Sequence, residues 1–314
     1  MSSISAKAMG GRTVAAPEVR DEIGKEFKGT HIVSVSIPEG VRRIGDSAFE
    51  GCSELRSITF PSTLEHIGKD AFRGCSELRI PALPKSLRRI EPGAFYGCIS
   101  IEGFETESAT GPIISYKGSL YTKAWGLIAY PGGCREKSFE TAEATTSVAD
   151  LAFSGNPYLR FVRLGKNVSR ITGKAFLGCR ILSEISVDSD NKNYSYSSIS
   201  LMNAKATELI FVTPEPRRIG LHLQGISSLG AYCLAECDSM DMLCLHDRLE
   251  YVHPDAFGEG CRPKKLYVDD DFDCEVPFEF LGSDKEPPED MLISGKIYRR
   301  GKDGKYRHNG FIEQ

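Results

Sequence analysis

Nine residues, AFEGCSELR at positions 48–56, return almost unchanged as AFRGCSELR at positions 71–79. Self-similarity at a period of 23 constrains the fold more than any other feature of this chain. A unit that short cannot bury an apolar side alone, so such units have to stack. Phe49, Phe72 and Phe95 keep the step of 23, as do Cys52, Cys75 and Cys98, and Ile44, Ile67 and Ile90. The register jumps 58 residues to Phe153, resumes at Phe176, jumps 58 again to Leu234 and ends at Phe257, giving seven units. Cys179 and Cys237 hold the cysteine position, Asn156 replaces it once, and Cys261 is displaced by one inserted residue.

A step of 58 followed by one of 23 makes a larger period of 81, which Phe72, Phe153 and Leu234 obey. The inserted stretches repeat as well. ISYKGSLYTKAWGLIAYP (114–131) reads as two short strands around a turn, and YSSISLMNAKATELIFVTP (196–214) places Leu201 81 residues after Leu120. ISGKIYRRGKDGKY (293–306) again sets a glycine two residues before an apolar–tyrosine pair. Within a unit, Ile58 and Phe60 fall on one side of an extended strand and Thr59 on the other, and Pro61 ends it. DSAFEGC is expected to form a short helical turn with Ala48, Phe49 and Cys52 on one face. The cysteine series then reads as small apolar side chains where coils approach closely, in preference to metal or redox chemistry.

The stretch IPEGVRRIGDSAFEGCSELRSITFP resembles the leucine-rich repeats of the bacterial surface antigen (BspA-like) type, over roughly residues 30–270. The resemblance implies an α/β solenoid: a right-handed, strand-rich superhelix with short helical turns and β-hairpin excursions. It also implies a surface location, adhesion or host binding, and no shared catalytic residues. Leu234, Asn156 and Ser200 depart from the pattern at positions that packing tolerates. The expected organisation is an N-terminal tail and cap helix over 1–29, the solenoid over 30–275, and a capping hairpin over 276–314. Excursions are expected at about 104–145 and 188–222, and the cap helix rests on Val19, Ile23 and Phe27 at i, i+4 and i+8.

A net charge of −4 gives no general pull toward nucleic acid or membrane, and no apolar run approaches the length of a transmembrane helix. MSSISAKAMGGRTVAAPEV lacks the apolar core of a secretory signal. The resemblance implies a cell-surface or secreted protein whose leader is absent from this chain; a cytoplasmic protein is the alternative. Ten cysteines, six of them in the ladder, read as buried thiols and not as a disulfide framework.

The six histidines are scattered through different repeats, and no metalloprotease, nucleophile-elbow or phosphate-loop motif is present. DSDNKN (188–193) and DDDFD (269–273) read as turn and solvated-face chemistry in preference to calcium sites. The basic, aromatic tail at 294–311 reads as a capping hairpin in preference to a nucleic-acid site. No enzyme, cofactor or metal is therefore expected.

Binding is expected on the strand face, where aligned strands present one variable side chain per coil. The row equivalent to Thr59 comprises Ser36, Ala82, Glu105, Arg163, Ser186, Cys244 and Tyr267. The candidate residues are Arg56, Arg79, Arg160, Phe161, Arg163, Glu184, Met242 and Tyr267, with Arg160, Phe161 and Arg163 as an anchor cluster. A second stripe, Arg43, His66, Arg89 and Arg170, recurs at one repeat position and is expected to fan into water or meet an anionic partner. The function expected is a non-catalytic module recognising a protein or glycan. The alternatives are an intracellular scaffold and an enzyme with a site between hairpin and solenoid.

Overall fold

Alternation of Ile58 with exposed Ser57 and Thr59 makes a three-residue strand, and its partner is the preceding coil. Ser57–Thr59 runs parallel to Ile32–Ser36, with Val35 opposite Ile58. A second row of short strands, Glu22–Ile23, Arg43–Ile44, His66–Ile67 and Arg89–Ile90, is likewise parallel and in register. The structure, a computed structural model, describes residues 4–8, 13–14, 21–197, 199–214, 221–223, 225–237, 241–245, 248–258, 261, 265–268, 290–293, 296–300 and 306–311. It comprises two compact units: residues 1–159 with 167–171 and 175–180, and residues 160–166 with 172–174 and 181–314.

The Ala-Phe-x-Gly-Cys segment is a run of turns. The Ala48 and Cys52 N–H groups reach back three residues, to Gly45 and Phe49, while the Phe49 and Gly51 N–H groups donate to Ala71 and Arg73 of the next coil. An α-helix would claim all of these donors for itself, so the stacking bonds forbid it. Among the described residues there is no α-helix, and the only 3₁₀ helix is Gly173–Phe176. The expected α/β class with helical turns is thereby corrected to a strand-rich solenoid of stacked coils.

Stacking fixes the interior chemistry of the first unit. The rings of Phe27, Phe49, Phe72 and Phe95 follow one another at 5.4, 5.3 and 5.7 Å, the last two pairs within 1° of parallel. Phe153 and Phe176 repeat the arrangement at 5.3 Å. Gly51, Gly74 and Gly97 hold φ of 77°, 76° and 75°, and a Cβ on Gly74 would lie 3.8 Å from the Gly51 Cα. The space would admit a Cβ, so it is the positive φ that favours glycine there.

Four ladder thiols donate to a phenylalanine carbonyl of the preceding coil: Cys52 to Phe27 at 2.8 Å, Cys75 to Phe49 at 3.1 Å, Cys98 to Phe72 at 3.1 Å and Cys179 to Phe153 at 3.0 Å. Burial pushes the Cys98 thiol up to about 12 and raises Cys52, Cys75 and Cys233 as well. Asn156 performs the same task with more bonds. Its Nδ2 donates to the Pro131 and Cys134 carbonyls at 2.9 and 3.0 Å, and its Oδ1 accepts from the Tyr158 and Leu159 N–H groups at 2.8 and 2.9 Å.

The N-terminus differs from expectation. Ser5–Ala8 pairs antiparallel with both Thr13–Val14 and Ile32–Ser36, so it covers the edge of the first sheet. The segment expected as a cap helix is another coil: Glu22–Ile23 joins the short-strand row and Phe27 begins the phenylalanine stack. Hydrogen bonds to the next coil, such as Gly29 N–H to Glu50 O at 2.7 Å, again compete with a helix and win.

The excursions carry three strands where the sequence reading assigned two. In the first unit, Ile113–Tyr116, Ser119–Thr122 and Gly126–Ala129 are antiparallel, and Gly126–Ala129 then pairs parallel with Ser147–Val148. Tyr130 continues as a coil, its N–H donating to Ala152 O at 2.7 Å and its ring lying 5.9 Å from Phe153. The second unit repeats this topology with Tyr194–Tyr196, Ser200–Asn203 and Glu208–Val212, the last parallel to Ser228–Leu229. Further on, Met242–Leu245, Lys265–Val268 and Asp290–Ile293 are parallel, followed by antiparallel Lys296–Arg300 and Tyr306–Phe311. The acidic run at 269–273 lies outside the described residues.

Phe72→Ala removes a ring stacked on both sides and should cost about 3–5 kcal/mol in urea unfolding. Asn156→Ala orphans the buried Pro131 carbonyl and Leu159 N–H and the part-buried Cys134 carbonyl and Tyr158 N–H, and should cost about 2 kcal/mol, with Asn156→Cys recovering part of it. Thiol labelling at pH 8 followed by peptide mapping should modify half-buried Cys134 while Cys52, Cys75, Cys98 and Cys179 react only on unfolding. Native-state labelling of the ladder cysteines would refute the packing described here.

Candidate binding surface

Because inward residues alternate with outward ones along each strand, the candidate residues fall where coil stacking leaves them exposed. In the first unit Arg56 and Arg79 are exposed, and Arg79 N–H donates to the Arg56 carbonyl at 3.0 Å. The Arg56 Nε lies 2.6 Å from Glu77 Oε2, and that hydrogen bond raises the guanidinium above its usual range. Glu54, one coil earlier, takes His31 Nδ1 at 2.9 Å. The next station of this carboxylate row is Ser100, and Arg79 has no ion pair among the described residues.

In the second unit Phe161–Leu164 pairs parallel with Glu184–Val187. Val162 and Leu164 are buried, which turns Phe161 and Arg163 outward; Phe161 is 43% exposed and lies opposite exposed Glu184. The Arg160 carbonyl accepts the Ser183 and Glu184 N–H groups at 2.9 and 3.2 Å, which fixes its backbone while its side chain stays exposed without an ion pair among the described residues. Arg163 Nη2 lies 3.1 Å from Asp188 Oδ2. The Asp190 N–H and the Arg163 guanidinium hold the Asp188 carboxyl below its usual range.

Met242 and Tyr267 are half-buried and so contribute less surface than Phe161. Cys244, assigned to the outward row, is buried. It lies opposite Tyr267 in the middle of a parallel ladder, and its short side chain does not rise past its neighbours. Within DSDNKN, Asn191 Oδ1 accepts the Asn193 and Tyr194 N–H groups and its Nδ2 donates to Gly165 O, so these side chains shape a turn.

The second stripe is not a column of like charge. Arg43 Nε lies 3.4 Å from Glu22, and Glu91 takes Arg89 Nε at 2.5 Å and lies 3.3 Å from His66 Nε2, which makes no hydrogen bond to the described residues. Repulsion between coils is relieved by these interleaved carboxylates. Arg170 has no such partner among the described residues. The sequence reading missed Glu22, Glu91 and Asp188; the signal was a carboxylate on or beside the strand carrying each cation, or on its neighbour.

A model of the BspA type leucine rich repeat region matches six copies over residues 22–117 and 130–258. The chain belongs to this family. No curated protein sequence matches it. Among solved structures, this BspA-type chain is similar to the pneumococcal vaccine antigen PcpA, with 19% identity, a TM-score of 0.47, and 92% of this chain and 87% of that one covered. It is also similar to a leucine rich cell surface protein from Faecalibacterium prausnitzii, with 19% identity, a TM-score of 0.41 and coverage of 84% and 86%. A leucine-rich repeat protein from Eubacterium ventriosum shows 14% identity, a TM-score of 0.39 and coverage of 87% of each chain. Among the described residues no helix is long and apolar enough to cross a membrane.

The Arg163–Asp188 pair sets a pH-dependence. A depressed folded pKa means its contribution is complete above the unfolded aspartate range and is lost as pH falls through the folded value. NMR titration should place the Asp188 midpoint below the ordinary value of about 3.9, and Arg163→Gln should raise it. An unchanged midpoint in that variant would show that the pair does not form in solution.

Proposed function

We propose that this repeat protein is a non-catalytic binding module, displayed at a cell surface or secreted, that recognises a macromolecular partner through its strand face. The right-handed winding implied by the family belongs to the same reading. The observation that carries it is Phe161, exposed opposite Glu184 on parallel strands, between Arg160, which has no ion pair among the described residues, and Asp188-braced Arg163. A large apolar ring set between arginines on a rigid backbone is the composition of an interface anchor, and it loses little entropy on binding. This chemistry favours a protein partner on this face over a glycan.

Catalysis has less support. Of the His–carboxylate approaches among the described residues, His66 with Glu91 shares its carboxylate with Arg89, and His31 with Glu54 lies exposed on the surface. Of the clefts beside the first excursion among the described residues, the one at Thr122 and Ser147 is lined by neither histidine nor carboxylate, and those at Glu91 and Glu105 hold a carboxylate without a histidine.

A pull-down against extracellular-matrix proteins and surface glycans, run beside an Arg160/Phe161/Arg163 triple-alanine variant, tests the reading. The variant should unfold at the same urea midpoint within about 0.5 kcal/mol and bind its captured protein at least about tenfold more weakly. Equal capture by both proteins overturns the assignment of this face.

A further inference from the structure

The short-strand row of the first unit stops at Arg89–Ile90. The next strand along the chain on that side, Gly126–Ala129, pairs with Ser119–Thr122 and Ser147–Val148 instead. At the break lies a cleft of about 290 Å³ lined by Ile90, Thr122, Gly126, Thr146, Ser147 and Arg170, among others. Where the row is intact, Arg42 O accepts the Glu65 and His66 N–H groups and Ile44 O accepts that of Gly68. The equivalent carbonyls of Arg88 and Ile90 accept no backbone N–H from the described residues.

Three hydroxyl-bearing residues line this cleft together with Ile90: Thr122, Thr146 and Ser147. Thr122 Oγ1 accepts the Gly126 N–H at 2.9 Å and keeps its proton to donate, Thr146 Oγ1 donates to Ala124 O at 3.2 Å, and Ser147 Oγ makes no bond to the described residues. Gly126 keeps them accessible: a Cβ there would lie 2.8 Å from Ser147 Oγ and 3.2 Å from Thr122 Oγ1.

Arg170 supplies the charge. Its repeat equivalents are neutralised at two stations, by the register partner Glu22 for Arg43 and by Glu91, two residues along, for Arg89. For Arg170 the register partner is Ser147 and the residue two along is Thr172, so both carboxylates have become hydroxyls. A cation whose neutralising stations hold hydroxyls is open to an external anion, and the groups lining the cleft with it both donate and accept. Sugar hydroxyls do both, whereas a peptide strand would offer mainly N–H donors to this edge.

We propose that this cleft binds an acidic saccharide unit, its carboxylate or sulfate on Arg170 and its hydroxyls shared among Ser147, Thr122 and the Ile90 carbonyl. The site uses residues distinct from the Phe161 face and stands independently of what that face binds.

Calorimetry on the full chain with a uronic-acid disaccharide, a sulfated disaccharide and their neutral counterpart tests it. At least one acidic probe should bind about tenfold or more tightly than the neutral one, with affinity falling as salt is raised. Which acidic probe binds assigns carboxylate or sulfate. Arg170→Gln, an exposed substitution that leaves the urea midpoint in place, should abolish the preference. The Arg160/Phe161/Arg163 triple-alanine variant should retain it, which separates this site from the strand face. Equal affinity for acidic and neutral probes, an unchanged preference in Arg170→Gln, or no binding at millimolar concentration by the folded protein would each overturn the proposal.

Discussion

Everything in these units depends on one commitment of the backbone: each coil donates its N–H groups to the carbonyls of a neighbouring coil. The bonds from Phe49 to Ala71, Gly51 to Arg73 and Gly68 to Ile44 hold successive coils about one strand spacing apart. At that separation an interior position sees its own equivalent directly above and below. A phenylalanine then stacks on a phenylalanine, a glycine meets a glycine backbone, and a thiol finds the carbonyl of the previous coil. The sequence repeats because the interior is an extended contact between copies of one unit, and its apolar side chains are buried only by neighbours.

That commitment also governs which departures survive. Asn156 replaces a cysteine yet still donates to the preceding coil, and it adds bonds to its own turn. Tyr130 takes a phenylalanine station three residues after Leu127, where Phe49 follows Ile44 by five, and its N–H still reaches Ala152. Left-handed backbone at Ser47, Asp70 and Leu151 is retained where the turn enters the Ala-Phe step. Such a conformation costs a non-glycine residue roughly 1–2 kcal/mol, which the coil-to-coil bonds offset. Hydrogen-bond role is kept more strictly than residue type.

Legibility followed the same line. Phe49, Phe72, Phe95 and their cysteines announced stacking because their spacing is constant. Phe27 escaped because its step to Phe49 is 22 and Thr30 holds its cysteine position; Tyr130 escaped because an extra glycine separates it from Cys134. Both are coils to the backbone and irregular only to an alignment by spacing. The helical reading of Ala-Phe-x-Gly-Cys failed for another reason: i, i+3 and i+4 periodicity describes which face is apolar and is silent on where the N–H groups go. On the surface, strand parity placed Phe161 and Arg163 outward but misplaced Cys244, since exposure depends on neighbouring side-chain height as well as direction.

The exposed rows show why repetition, so informative about the core, is a poor guide to function. Where carboxylates recur with the cations, as Glu77 does for Arg56 or Glu22 and Glu91 for Arg43 and Arg89, charge is neutralised within the protein. A neutralised row gains little by engaging a partner, because any new contact must first displace the old one. Serine breaks both rows, Ser100 at the station that would serve Arg79 and Ser147 at the one that would serve Arg170. A solenoid core has to be the same in every coil, so recognition of anything other than itself has to be sought where the coils stop being alike.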